Sequence, residues 1–121
     1  MIVLADTSVW VDHWRRGNPA FAERLAGNHI AVHPFVLGEL ALGAISPRAA
    51  VLAGLRSLPA ARVADDDEVL GLIERRRLAG RGIGWVDCHL LASALLDQVR
   101  LWTLDRRLAR IATEAGAAWT G

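Results

Sequence analysis

The sequence predicts an α/β domain with a mainly parallel central sheet flanked by helices, and three observations carry that expectation. Short apolar stretches alternate with helical patterns almost throughout the chain, as βαβ units do. A length of 121 residues supports one core and not two. No repeat, linker or low-complexity tract breaks the alternation, so residues 1–121 are expected to form a single domain.

The opening "MIVLA" reads as a strand, and Thr7 or Ser8 as N-cap of a helix through Trp14 that stops at Gly17. Asn18-Pro19 is a cap followed by a first helical position, with Gly27 as the stop. "HIAV" is a second strand, Pro34 opens the apolar helix "FVLGELALGA", and Ser46-Pro47 opens another that runs to about Leu58. "ARVA" at 61–64 reads as a strand before a helix with the acidic start "DDDE"; Asp65 to Glu68 are ordinary capping and dipole charges. A loop with Gly80, Gly82 and Gly84 leads into the helix that carries Asp87. "RLWTL" is a strand, "DRRLARIATEAG" a helix, and "AAWT" a last short strand.

Composition removes several classes of function. The chain is 53% hydrophobic and 22% charged, ordinary for a globular protein, and no apolar run approaches the roughly 20 residues that span a bilayer. Asp6 interrupts the first apolar segment and no basic region precedes it, so the start reads as a strand and the expected location is the cytoplasm. Cys88 stands alone, excluding an internal disulfide and a thiolate metal site. His13, His29, His33 and His89 show no zinc-ligand spacing and read as cap or surface residues. Every basic side chain except histidine is arginine; without lysine there is neither a P-loop nor Schiff-base chemistry. The net charge of +1 announces no global attraction to nucleic acid. Two arginine-rich patches, "ERRRLAGR" at 74–81 and "DRRLAR" at 105–110, read equally well as solvated surface or as phosphate contacts.

Four acids stand out against this background. Asp6 and Asp105 close apolar strands, where a parallel sheet binds its ligands. Glu39 is the single charge between Pro34 and Pro47, and Asp87 falls on one arc of its helix with Leu90, Leu91, Ala94 and Leu95. Taken singly, each has a structural explanation: a helix cap, a dipole charge, a buried ion pair or an exposed helix glutamate. Together they suggest one site. Carboxylates gathered at one sheet edge repel, by about 4 kcal/mol for two charges ~4 Å apart at an effective dielectric of ~20. A hard cation removes that repulsion, and an all-oxygen donor set suits Mg²⁺ or Mn²⁺. Such a cation beside a phosphodiester is the chemistry of a metal-dependent nuclease. On that reading Asp87 is kept for the metal and not for the fold.

These blocks resemble those of PIN domains, and more narrowly the VapC ribonuclease toxins of type II toxin–antitoxin modules. "DTSVWVDHWR" matches the opening block with its acid at Asp6, and "HPFVLGELALG" supplies the second acid at Glu39. "GRGIGWVDCHLLASAL" supplies the third at Asp87 and "LWTLDRRL" the fourth at Asp105. Ser8 and Thr103 match hydroxyl positions that support the site. Cys88 stands where a smaller residue is common and Leu108 where an aromatic is frequent, departures that leave the acids intact. The resemblance implies an Mg²⁺- or Mn²⁺-dependent endoribonuclease acting on RNA such as tRNA or rRNA, a homodimer, and inhibition by a cognate VapB-like antitoxin. It implies Asp6 and Asp87 as direct metal ligands, with Glu39 and Asp105 acting through water or as the base. Arg81, Arg106 and Arg107 are the candidate RNA contacts.

Four other readings compete with this one. A phosphorelay receiver shares the length and fold class but needs a lysine that is absent, and a dinucleotide-binding domain needs glycines after the first strand. A housekeeping RNA-processing PIN nuclease without an antitoxin is the runner-up, and a catalytically inactive PIN binding scaffold is opposed by the retention of all four acids.

Overall fold

The computed structural model describes residues 1–121. At its centre β1 (Val3–Ala5) lies between two parallel neighbours, β2 (Ile30–Ala31) and β3 (Arg100–Trp102), in the order β2-β1-β3. Val3 pairs with Ile30 and Arg100, and Leu4 with Ala31 and Leu101. All three β1 side chains are fully buried, because helices cover both faces of the sheet. Seven helices complete the chain: α1 (Thr7–Arg16), α2 (Pro19–Ala26), α3 (Pro34–Ala41), α4 (Arg48–Arg56), α5 (Asp66–Arg76), α6 (Trp85–Asp97) and α7 (Arg106–Glu114). None is long and apolar enough to cross a membrane.

Local chemistry sets the helix starts. Asn18 caps α2 through the Phe21 N–H at 3.1 Å, and Asp65 with Glu68 forms a reciprocal capping box on α5. For α1 the N-cap is Asp6 and not Thr7 or Ser8; its carboxylate accepts the Val9 N–H, and the Ser8 hydroxyl turns back onto the same carboxylate. His33 caps α3, its Nδ1 accepting the Phe35 N–H at 3.0 Å.

Two expected strands shrink to single bridges. Ala60 pairs with Val32 outside β2, and Ala118 with Leu101 outside β3, both parallel. After Ala61 the chain leaves the sheet, because the Arg62 N–H is taken by the Asp97 carboxylate at 2.8 Å and not by a strand. At the other edge Leu101 exchanges bonds with Ala117 and Trp119 only. Helix α6 is the central helix of the core, with every residue from Cys88 to Ala94 buried.

Candidate active site

Four helix starts converge on the carboxyl edge of the sheet. Helices α1, α3 and α7 begin directly beyond the ends of β1, β2 and β3. Helix α6 packs on β3 and enters it through Gln98 and Val99 alone, so it runs back along the strand and its own start lies at that edge. N-terminal helix dipoles favour negative charge there.

Asp6 is the most enclosed of the four acids, with 6% of its surface exposed. One carboxylate oxygen accepts from the Ser8 hydroxyl and the Val9 N–H, the other from the Thr103 hydroxyl. Both hydroxyls are themselves fixed from the β3–α7 link. The Leu104 N–H donates to Ser8 Oγ at 3.0 Å, and the Asp105 N–H to Thr103 Oγ1 at 3.0 Å. Burial raises the Asp6 pKa above its ordinary value, and the hydrogen bonds from Ser8 and Thr103 oppose that rise without cancelling it.

The other acids have lighter surroundings. Asp105 is exposed and caps α7, accepting the Leu108 N–H at 2.9 Å. Asp87 is half-buried in the first turn of α6 and accepts the Gly84 N–H at 3.1 Å. The expectation that Asp87 is kept for a metal and not for the fold is therefore incomplete, since the carboxylate also satisfies the start of its own helix. Glu39 is exposed on α3. Apolar though this helix is, it has an outward face: only Val36 and Leu40 are fully buried, while Phe35, Gly38, Glu39 and Leu42 face outward.

The structure joins Asp6 to Asp105 through Thr103 and sets Asp87 at the start of a neighbouring helix. It does not pack three acids close enough to form a ready-made metal cage. The donor chemistry nevertheless suits a hard divalent cation. Three hydrogen bonds occupy three of the roughly four lone-pair sites of the Asp6 carboxylate, leaving one on the oxygen that faces Thr103. Burial penalises its charge, and Mg²⁺ needs only one or two protein carboxylates, taking its remaining oxygens from water and phosphate.

Arginines border this edge unevenly. Arg81, Arg106, Arg107 and Arg110 line one open cavity with Ile111. Arg75, Arg76 and Arg77 point to solvent elsewhere, so the first arginine patch is split between surface and cavity. Arg81 is paired in a two-bond clasp with Glu114, both contacts 2.7 Å. Gly82, at φ +82°, keeps the loop open for Arg107: a Cβ there would lie 2.7 Å from Arg107 Nη1.

The sequence reading missed a buried imidazole pair. His33 caps α3 as a histidine cap was expected to, but His89 is neither cap nor surface residue; they are 0% and 1% exposed with ring centroids 6.2 Å apart. Burial, with His89 adding to it, lowers the His33 pKa from 6.5 to about 4. The signal was present for His89, since a helix apolar on every side is buried on every side.

Carboxylates at strand ends and helix starts on a parallel α/β sheet define a class of protein. The PIN-domain family model matches residues 3–114. Ribonuclease VapC32 of Mycobacterium tuberculosis, from two strains, is 47% identical over 118 residues, 97% of this chain and 95% of that protein. The chain belongs to the PIN-domain family and, within it, to the VapC proteins. The crystal structure of PAE2754 from Pyrobaculum aerophilum shares the fold, with a TM-score of 0.67 at 18% identity over 98% of this chain and 88% of that one.

Proposed function

We propose that this chain is a divalent-metal-dependent endoribonuclease and the toxic component of a VapBC-type pair, with all of residues 1–121 forming its PIN domain. The observation that carries the reading is the Asp6 carboxylate, buried and oriented by two hydroxyls at the edge where Asp105 and Asp87 also lie. The 47% identity to a ribonuclease over almost the whole chain supports the reaction class.

In this reading Asp6 and Asp87 hold Mg²⁺ or Mn²⁺ directly, and Glu39 and Asp105 act through water or as the base. The bound cation supplies positive charge to the scissile phosphate and acidifies water beside it. Ser8 and Thr103 keep the Asp6 oxygens in place, so little reorganisation is needed when RNA arrives. A carboxylate takes the proton of the attacking water as its oxygen bonds to phosphorus and the P–O bond to the leaving nucleotide breaks. Arg106 and Arg107 hold flanking phosphates beside Arg81, which Glu114 clasps, with the cavity they share with Arg110 as the supporting feature.

The natural partners are cytoplasmic RNA, a second copy of the chain in a homodimer, and a VapB-like antitoxin. An apolar groove lined by Trp10, Trp14, Leu25, Val51, Leu55 and Leu58 offers the antitoxin a binding surface. The full chain is tested on structured RNA with Mg²⁺ or Mn²⁺, with and without EDTA. Cleavage only with metal is expected, and undiminished cleavage in chelator overturns the metal mechanism. Expression alone should arrest growth and co-expression of a cognate VapB-like antitoxin should restore growth; harmless expression of folded chain overturns the toxin role.

A further inference from the structure

Two aromatic rings stand half-exposed at the starts of the helices that carry Glu39 and Asp87. Phe35 is 36% exposed and Trp85 41% exposed. Phe35 lies one helical turn before Glu39, so ring and acid share the outer face of α3. Trp85 is the first residue of α6, in the same turn as Asp87. Both rings rest on one buried floor, the His89 imidazole, each with its centroid 4.8 Å away and steeply inclined at 67° and 81°. They are packed in place from below and open from above.

The floor itself is unsatisfied. Nδ1 of His89 and Nε2 of His33 are buried without a hydrogen-bonding partner, and His89 Nε2 faces only the Asp66 carboxylate, 3.4 Å away, which is costly for polar groups removed from water. A nucleobase offers a flat face to stack on the exposed rings, and its backbone carries the charge that the neighbouring arginines meet. The loop before Trp85 also leads straight to the arginine cavity through Gly82 and Arg81. The edge therefore presents rings on the α3–α6 side, acids in the middle and arginines on the α7 side.

We propose that Phe35 and Trp85 form a stacking platform for an unpaired RNA base next to the cleaved phosphate. The platform rests on the nuclease reading for its place beside the acids, and it makes the substrate single-stranded or looped RNA, since a paired base has no free face to give. Phe35 and Trp85 thereby fix where one or two unpaired bases sit, while the arginines grip the backbone.

The test is binding of a fluorescent RNA oligonucleotide to the full-length chain in EDTA, with an abasic residue moved one position at a time along the RNA. With wild type, abasic substitution at one or two adjacent positions is expected to weaken binding about tenfold. Trp85→Ala should show the same loss with intact RNA and no further loss at those positions, while Trp85→Phe keeps most of the affinity. A flat abasic scan overturns the platform, and needs no variant to do so. A uniform loss at every position for Trp85→Ala, or a change of oligomeric state in sedimentation that accompanies it, also overturns it, because the rings then serve fold or protein contact. The scan needs no turnover. A chain with the expected pattern that cuts no RNA keeps the platform and loses the nuclease reading, and a chain that cuts RNA with a flat scan does the reverse.

Discussion

Asp6 and Asp105 are linked through a single hydroxyl. Thr103 Oγ1 donates to the Asp6 carboxylate and accepts the Asp105 backbone N–H at 3.0 Å. A second relay runs beside it, from the Leu104 N–H through Ser8 Oγ to the other Asp6 oxygen. The end of β1 and the start of α7 are thus registered by polar contacts and not only by the β1–β3 ladder. The carboxylate cannot rotate without breaking one relay.

Thr103→Val tests that link, replacing the hydroxyl by a methyl of similar size. The Asp105 N–H loses its acceptor and Asp6 loses a donor, at a cost of about 1–3 kcal/mol in unfolding free energy. RNA cleavage should fall about 10- to 100-fold through misplacement of Asp6, and Thr103→Ser should restore most of it. A Thr103→Val protein that melts and cleaves like wild type would show that the relay is idle.

Asp6→Asn separates the demands of the fold from those of the site. Burial raises the pKa of Asp6, so the stability linked to this group is fully present below the ordinary carboxylate pKa and lost as pH rises through the folded value. At neutral pH the metal-free fold carries that penalty, and the amide removes it. In EDTA at pH 7.5 the variant should melt at or above the wild-type temperature. With Mg²⁺ at a hundredfold excess over its Kd, wild type gains about 2.7 kcal/mol and the variant far less, with cleavage reduced at least ~100-fold. Lower stability than wild type in EDTA would show Asp6 to be a structural acid first.

Much of this was legible in the sequence, and the exceptions have physical causes. Strand β1, the Asn18 cap, the Asp65–Glu68 start and the arginine-bearing α7 follow from local patterns that the structure keeps. "ARVA" failed as a strand because its competitor is remote: Asp97, 35 residues away, takes the Arg62 N–H. The relay around Asp6 joins residues 97 apart, which no spacing rule reports. The capping bond of Asp87 was closer to hand, since an acid three residues after Gly84 stands where a capping-box acid stands. The exposure of Glu39 did not show in the composition of its helix, where apolar residues also face outward: Leu42 at its end is 90% exposed.

Two substitutions divide the capping bond of Asp87 from the metal role proposed for it. Asp87→Asn keeps an oxygen for the Gly84 N–H and should cost only a few tenths of a kcal/mol, whereas Asp87→Ala should cost about 1 kcal/mol. Both should lose metal-dependent cleavage to the same extent. If the asparagine variant retains cleavage while the alanine variant loses it, the residue acts by capping alone.

The arginine cavity is tested by salt. Arg81 is committed to Glu114, leaving Arg106, Arg107 and Arg110 to meet phosphate. For single-stranded RNA each lost phosphate contact should lower the slope of log K against log salt by about 0.7. Arg106→Ala and Arg107→Ala should each do so while leaving base preference unchanged. Gly82→Ala should mimic Arg107→Ala, since its methyl displaces that guanidinium. An unchanged slope in all three variants assigns the cavity to something other than RNA.

His33 gives the fold an acid limit. Its imidazole is held neutral by burial, with the His89 ring 6.2 Å away and Asp66 beyond it, 3.4 Å from His89 Nε2. A folded pKa of about 4 against 6.5 means that the linked stability is fully present above pH 6.5 and lost as pH falls towards 4. The whole effect is of the order of 3 kcal/mol. Asparagine can accept the Phe35 N–H in place of Nδ1 but leaves space in the core. His33→Asn should therefore be less stable than wild type at pH 7.5, by about 1 kcal/mol, and should overtake it at about pH 6. Taking the difference between the two proteins cancels the opposite trend from Asp6. Urea unfolding at pH 7.5, 6 and 5 reads that difference directly, and parallel curves would mean that His33 takes up its proton in the fold as readily as in the unfolded chain.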